Sequence, residues 1–349
     1  MKTGHLTLIG LFRMILVMLF FLVSLGLGLS AFNGNASAED EMNILIFIMG
    51  SDLEEALGAA TQDIKEMMQT DIPGGTNVYL LIGGARHWFL SDEYDGAVAY
   101  LNIIDGQIVE MKKILNEACG TADSLASFIG FCTERSPSKC NALIFWGHGC
   151  EGMQGIGYDS LFYEDTLTLN ELSEGLAQAG IFWDFLGFDA CNMATFEAIW
   201  TLKDYTESII ATSNDESVQG WPYHELLSTI GEASEDLMVK MKEQIENSFQ
   251  RHGHDVEICI VKSEAFSQLE APLGELFDEA SSVQMGTDLL TICEGCEDVG
   301  LTEKIGSALD GQCINTGIYH DWEAYGQLLE SGMIPQYCKW ILRCNGWER

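Results

Sequence analysis

The chain has 349 residues, 47% of them hydrophobic, enough for one large domain or two smaller ones around a buried core. Acidic residues number 53 against 17 basic ones, a formal net charge of −36. Such a surface repels nucleic acid and anionic lipid, which removes those partners. It either attracts cationic peptides and ions such as calcium or only keeps an exported protein soluble.

Residues 1–38 follow the plan of a secretory signal. Lys2 and Arg13 precede an apolar stretch from Met14 to Phe32, and Ala36-Ser37-Ala38 forms a small-x-small cleavage site before Glu39-Asp40. Cleavage after Ala38 is expected, giving a secreted or cell-surface protein, with the periplasm as a further destination. The apolar stretch is long, so an uncleaved anchor is the alternative, and membrane contact is expected only in that case. All 11 cysteines lie beyond this segment, where an exported chain can oxidise them. The odd count leaves at least one thiol unpaired. The expectation is one to three free thiols, Cys191 among them.

Asn43–Met49 is an apolar run of strand length, as expected for a strand buried on both faces. Ser51 and Glu54 form a capping-box pattern, and Leu53, Leu57, Ala60, Ile64 and Met67 make a helical stripe. Asn77–Ile82 is a second strand. Ala97–Ile104 and Gln107–Met111 flank Asp105-Gly106 as a hairpin, and helix signals cover Ser124–Thr133. The run Asn141–Trp146 then ends in Gly147-His148-Gly149. Gly152–Asp165 reads as a glycine-containing loop. Thr168 and Glu171 cap a helix carrying Leu169, Leu172 and Leu176, which Gly180 stops.

Phe182–Phe188 is a strand that delivers Cys191. Met193, Phe196, Ile199 and Trp200 recur at helical spacing directly after it. Ser208–Thr212 is a short strand, Glu235–Phe249 a helix and Asp255–Val261 a final strand. Alternating elements of this length imply an α/β three-layer core. Beyond 263 the pattern changes, and Cys293, Cys296, Cys313, Cys338 and Cys344 fall there. The chain divides into the signal or anchor (1–38), an α/β domain (39–262) and a largely helical, disulfide-stapled region (263–349).

In a parallel α/β sheet, catalytic groups sit at the carboxyl ends of strands. Two such strands would bring His148 and Cys191 to one edge, and a thiol needs a neighbouring base to be nucleophilic at neutral pH. Each residue also has a bland reading: a structural Gly-His-Gly turn, and a buried apolar cysteine. Asp189 could be a helix N-cap, Trp221 and Tyr223 could line a groove or pack the core, and His252 and His254 read as solvated. Cys293-x-x-Cys296 reads as a disulfide or structural pair, since no second close ligand pair accompanies it for zinc.

Trp146-Gly-His-Gly149, Gly187-Phe-Asp-Ala-Cys-Asn-Met193 and Gly220-Trp-Pro-Tyr223 resemble the signature blocks of the clostripain family of cysteine peptidases, relatives in fold of caspases, legumain and gingipains. The likeness extends to Met49-Gly-Ser-Asp-Leu-Glu54, Gly83-Gly-Ala85 and the helix at 167–180, spanning roughly 43–230 with the blocks in order. It implies a caspase-like three-layer sandwich with a mostly parallel central sheet. It assigns His148 and Cys191 to a catalytic dyad and the backbone N–H groups of Gly149 and Cys191 to an oxyanion hole. Asp189 matches an acidic residue of the pocket for the substrate's P1 side chain, and family members cleave after arginine or lysine. Asp215, Glu216 and Trp221 are the further substrate-binding candidates. No cofactor is needed for the chemistry, and calcium enters as a structural or activating ion.

The chain also departs from the family pattern. Cys150 and Glu151 stand where further glycines are usual, and Ala211-Thr-Ser-Asn214 replaces the common Ala-Ser-Glu-Glu, with Asp215 and Glu216 just after it. From Glu151 to Ala190 there is no lysine or arginine, so activation by self-cleavage at a basic residue between histidine and cysteine is not expected. The resulting expectation is an exported cysteine endopeptidase acting on peptides or proteins cationic at P1. The alternative is an inactive binding or adhesion protein on a peptidase fold, with a Cys150 disulfide distorting the site.

Overall fold

The computed structural model describes residues 40–345 apart from 151, 164, 231–236, 281–286, 295–303, 308, 310–311 and 318–321. The signal or anchor segment, the side chains of Cys150 and Cys293, and Cys296 lie outside the described residues, so the Cys293-x-x-Cys296 pairing does too. Among the described residues no helix is long and apolar enough to cross a membrane.

The apolar runs form the centre of one sheet. In chain order the strands are β1 (Asp40–Met49), β2 (Thr76–Gly83), β3 (Ala97–Ile104), β4 (Gln107–Leu115), β5 (Ser138–Trp146), β6 (Gly149–Cys150), β7 (Gly155–Asp159), β8 (Asp165–Leu167), β9 (Trp183–Asp189), β10 (Thr206–Thr212) and β11 (Ile258–Lys262). Eight of them form a sheet in the order β11-β10-β9-β5-β1-β2-β3-β4. The five central strands β10, β9, β5, β1 and β2 are parallel, and antiparallel strands close both edges. The segment read as a loop at 152–165 instead carries part of a second, three-stranded sheet, β6-β7-β8.

Helices cover both faces, because alternate residues of the central strands point opposite ways. On β1, Leu45, Phe47 and Met49 enter one apolar layer while Ile44, Ile46 and Ile48 enter the other. The helices are α1 (Ser51–Leu57), α2 (Ala59–Met68), α3 (Ala122–Thr133), α4 (Leu169–Ala179), α5 (Phe196–Leu202), α6 (Tyr223–Ile230), α7 (Leu237–Arg251), α8 (Ser263–Ser267), α9 (Glu270–Glu279), α10 (Leu289–Glu294), α11 (Trp322–Glu330) and α12 (Pro335–Cys344). Helices α3, α4, α5, α9 and α12 pack on the first face, and α2, α6 and α7 on the second. α4 starts with the Thr168–Glu171 capping box and ends at Gly180 with φ +67°, as expected.

Three local expectations fail for identifiable reasons. The stripe from Leu53 to Met67 is two helices, because Gly58 takes φ +64° and turns the chain between α1 and α2. Glu54 does not cap α1: its carboxylate turns inward and accepts hydrogen bonds from the Thr61 N–H and hydroxyl and from the Phe89 N–H. The helix after Cys191 begins only at Phe196, capped by the Thr195 hydroxyl, because Asn192 at φ +55° interrupts the chain first.

Beyond Lys262 the described chain is largely helical and joins the layer that holds α5. Phe196 packs on Phe277 and Tyr337 at 5.3 and 4.5 Å between ring centroids. Glu197, fully buried, accepts from the Gly317 N–H at 3.0 Å and from the Tyr337 hydroxyl.

Six of the described cysteines take no part in the expected disulfide framework. Cys119, Cys132, Cys191, Cys259, Cys313 and Cys338 all carry free thiols. Cys119, Cys132 and Cys259 are buried and act as small apolar core residues. Thiol titration of the unfolded, unreduced protein is therefore expected to count at least six thiols; three or fewer would restore the stapled picture.

Candidate active site

Strands β5 and β9 are parallel neighbours, with Trp146 opposite Asp189. His148 and Cys191 each stand two residues beyond that pair, so the register alone sets them side by side at the carboxyl edge. The Gly147 N–H donates to the Asp189 carbonyl at 3.2 Å and ties the two strand ends together. Gly149 lies directly against the cysteine: a β-carbon there would sit 1.6 Å from the Cys191 carbonyl oxygen. No side chain larger than glycine's hydrogen fits that space.

His148, Cys191, Asp189 and Glu216 line one cleft of about 230 Å³. Asp189 is the last residue of β9, not a helix cap, and its Oδ2 accepts from the Trp221 N–H at 3.1 Å and the Tyr223 hydroxyl at 2.9 Å. Burial pushes its carboxyl up to about 7, against the pull of those donors. Glu216 is half-buried as a residue, with its carboxyl turned inward to Asp189 and to the Trp221 indole N–H at 3.3 Å. Burial first, then the Asp189 charge, raise it well above the carboxylate range.

Two other candidates fall outside this cleft. Trp221 is fully buried beneath it, where its ring fills the space that a side chain at Gly187 would need. Asp215 is exposed and accepts from the Asn192 side-chain amide at 2.7 Å. His252 and His254 are exposed, as expected of a polar turn.

The structure adds a residue that the sequence reading passed over. The His148 Nε2 lies 2.8 Å from Asp52 Oδ1, and the imidazole stacks on Tyr158 at 5.4 Å with 9° between planes. Tyr158 also hydrogen-bonds Asp52, and this bond, ahead of those from His148 and Ser51, holds the Asp52 carboxyl below its ordinary range. Ser51, at φ +45°, precedes Asp52 and donates its hydroxyl to Asp52 Oδ1 at 3.4 Å. A carboxylate can only accept, so Nε2 carries the proton and Nδ1 is the basic nitrogen. The Cys191 Sγ accepts from the Glu216 N–H at 3.2 Å, and burial raises its thiol above the usual range. Among the described residues no hydrogen bond joins His148 to Cys191.

The sequence model of the clostripain family matches residues 46–297. The chain belongs to the clostripain family. That family is one of cysteine peptidases, which agrees with a thiol and an imidazole in one cleft. No curated protein sequence matches the chain. Among solved structures, it is similar to a secreted cysteine protease from Bacteroides thetaiotaomicron, iotapain, with TM-score 0.64 and 16% identity over 79% of this chain and 86% of the other. A secreted cysteine protease from the same organism in complex with an irreversible peptide inhibitor gives TM-score 0.67 and 15% identity over 86% and 99%. An inactive zymogen protease from Parabacteroides distasonis gives 0.65 and 16% over 89% and 96%. These likenesses establish the fold: an α/β sandwich around a mostly parallel sheet.

One acidic surface group could be asked to hold calcium, and by itself it supplies too few oxygens. Among the described residues, His87, Asp92 and Asp95 form the one group with three donors within 4.8 Å of one another, all exposed. Calcium takes roughly six to eight oxygen ligands. This group supplies a ring nitrogen and two carboxylates, and both Asp95 oxygens are engaged, with His87 Nδ1 at 3.2 Å and the Trp88 N–H at 2.8 Å.

Proposed function

We propose that the protein is an exported cysteine endopeptidase that cleaves after arginine or lysine. The observation that carries this reading is convergence: Cys191, His148 and the carboxyl residues Asp189 and Glu216 line the same cleft. The Cys191 thiol gives its proton to His148 Nδ1 and its sulfur bonds the scissile carbonyl carbon. The N–H groups of Gly149 and Cys191 receive the developing oxyanion. The protonated imidazole returns the proton to the leaving amine, and water then releases the acyl group from sulfur. Asp189 and Glu216 face the P1 side chain. The related protease that holds an irreversible peptide inhibitor supports a peptide substrate, and relatives described as secreted support export alongside the signal-like residues 1–38. The chemistry uses no cofactor.

The test is turnover by residues 39–349 of peptides with Arg, Lys, Asp or Leu at P1. A buried carboxylate facing a guanidinium is expected to favour Arg over Leu by roughly 10²-fold in kcat/KM. Asp189→Asn is expected to remove most of that preference and leave Leu-P1 turnover nearly unchanged. Equal turnover of Arg and Leu peptides by the unmodified protein would contradict the reading.

Asp52 orients the imidazole in this scheme and touches no substrate. Asp52→Asn keeps the shape but lets the amide favour the wrong tautomer. The expected result is a fall in kcat of roughly 10² with KM changed little. A variant with unchanged kcat would remove Asp52 from the machinery.

A further inference from the structure

Beneath the cleft lies more acid than a cation-binding pocket needs. Asp63, on α2, is buried at 2% exposure, and its Oδ2 accepts from the Trp146 indole N–H at 2.7 Å. A β-carbon on Gly220, itself at φ +62°, would sit 2.7 Å from Asp63 Oδ2 and 3.2 Å from Asp189 Oδ2, so the two carboxyls flank one methyl-sized space. Glu216 hydrogen-bonds Asp189 from the other side. A hydrogen bond between two carboxyl groups requires a proton on one of them.

Among the described residues the surroundings pair no lysine or arginine with these carboxyls. From α1 comes Glu54, from α2 Glu66, and from α6 Tyr223, His224 and Glu225. Arg251 of α7 is spent on Glu225 at 2.6 Å. Three carboxyls within one buried volume cannot all ionise without such a partner.

We propose that Asp63, Asp189 and Glu216 store protons in the free enzyme, and that a cationic P1 side chain binds by expelling one of them to solvent. The step is a proton exchange: an O–H bond of the Asp189–Glu216 pair breaks, the proton leaves to water, and the guanidinium or ammonium takes its place as the pair's counter-ion. This inference rests on the cationic-P1 reading and deepens it. Its consequence is that preference for arginine over a neutral isostere depends on pH. Below the range where the pair gives up its proton, the pocket is uncharged and Arg gains nothing; above it the pocket is anionic. The rise of Asp189 to about 7 puts that change near neutrality.

The experiment measures kcat/KM for matched peptides with Arg or citrulline at P1 from pH 5.5 to 8.5. Citrulline keeps the shape of arginine without its charge, so taking the ratio cancels titration of His148, Cys191 and Asp52. The expected Arg/citrulline ratio climbs by about tenfold or more across this range, at most tenfold per pH unit for one proton, with the change carried by KM. Glu216→Gln replaces the shared proton with a permanent amide donor, so its ratio is expected to stay high and flat. A high but flat ratio in the unmodified enzyme overturns the proton exchange and leaves the specificity reading standing. A ratio near one at every pH overturns both. A Glu216→Gln variant that keeps the unmodified slope overturns the role of the pair. If that variant does not fold, the unmodified enzyme's ratio decides alone.

Discussion

Replacing Cys191 with alanine is expected to lower kcat/KM by about 10⁴-fold or more. The sulfur forms the bond that divides hydrolysis into two easier steps, and no other thiol lines the cleft. Residual turnover would come only from binding and from oxyanion-hole N–H groups. The loss should not be one of folding. Cys191 Sγ is only part-buried and touches the backbone of Glu216, so the substitution should cost about 1 kcal/mol or less. Progress curves on an Arg-P1 peptide together with a melting curve check both halves. Near-native hydrolysis by Cys191→Ala would contradict the assignment.

Gly149→Ala is expected to do comparable damage by a different route. Its β-carbon would arrive 1.6 Å from the Cys191 carbonyl oxygen and 2.9 Å from its nitrogen, against backbone that cannot rotate away. Either the β6–β7 ladder at Gly149–Ile156 breaks or the Cys191 turn moves by an ångström or more. Misplacing a catalytic group by about 1 Å costs roughly 10²-fold, and forced overpacking costs about 1–3 kcal/mol of stability. The variant should therefore lose at least about 10² in kcat/KM and melt below the unmodified protein. Retained activity would mean that His148 and Cys191 are held together by something other than this close approach.

The central sheet was legible because its strands are apolar on both faces: Asn43–Met49, Asn77–Ile82, Asn141–Trp146 and Phe182–Phe188 all became strands. Their order was not. Nothing in the periodicity says that β5 lies between β1 and β9; the strand-end argument brought His148 and Cys191 to one edge only on the assumption that their strands are neighbours, and the resemblance supported it. Asp52 shows the cost. It stood in the quoted block after β1, but reading Ser51 and Glu54 as a cap drew attention from the residue between them. Asp63 was hidden differently. On a helix whose stripe is Ala60, Ile64 and Met67, it looks like an ordinary polar position, and only the close approach of Trp146 and Gly220 marks it as buried.

At the departure from the family pattern, Ala211–Asn214, the chain after β10 turns the Glu216 carboxyl back toward Asp189, and the proposed cationic pocket takes it as the second acid. The sequence could not show which cysteines stay unpaired: an exported context permits pairing, but Cys119, Cys132 and Cys259 keep their thiols packed in the core, and Cys313 and Cys338 of the region beyond 263 are free as well.

Mass spectrometry of the protein after treatment with an irreversible, thiol-directed peptide carrying arginine at P1 tests the whole arrangement at once. It reports the nucleophile, the specificity and the peptide-binding cleft in one adduct. The expected result is a single modification on Cys191, formed faster than with the citrulline analogue at pH 8 and slowed by Asp189→Asn. Labelling spread over Cys140, Cys313 or Cys344 with Cys191 untouched, or equal rates for both probes, would contradict it.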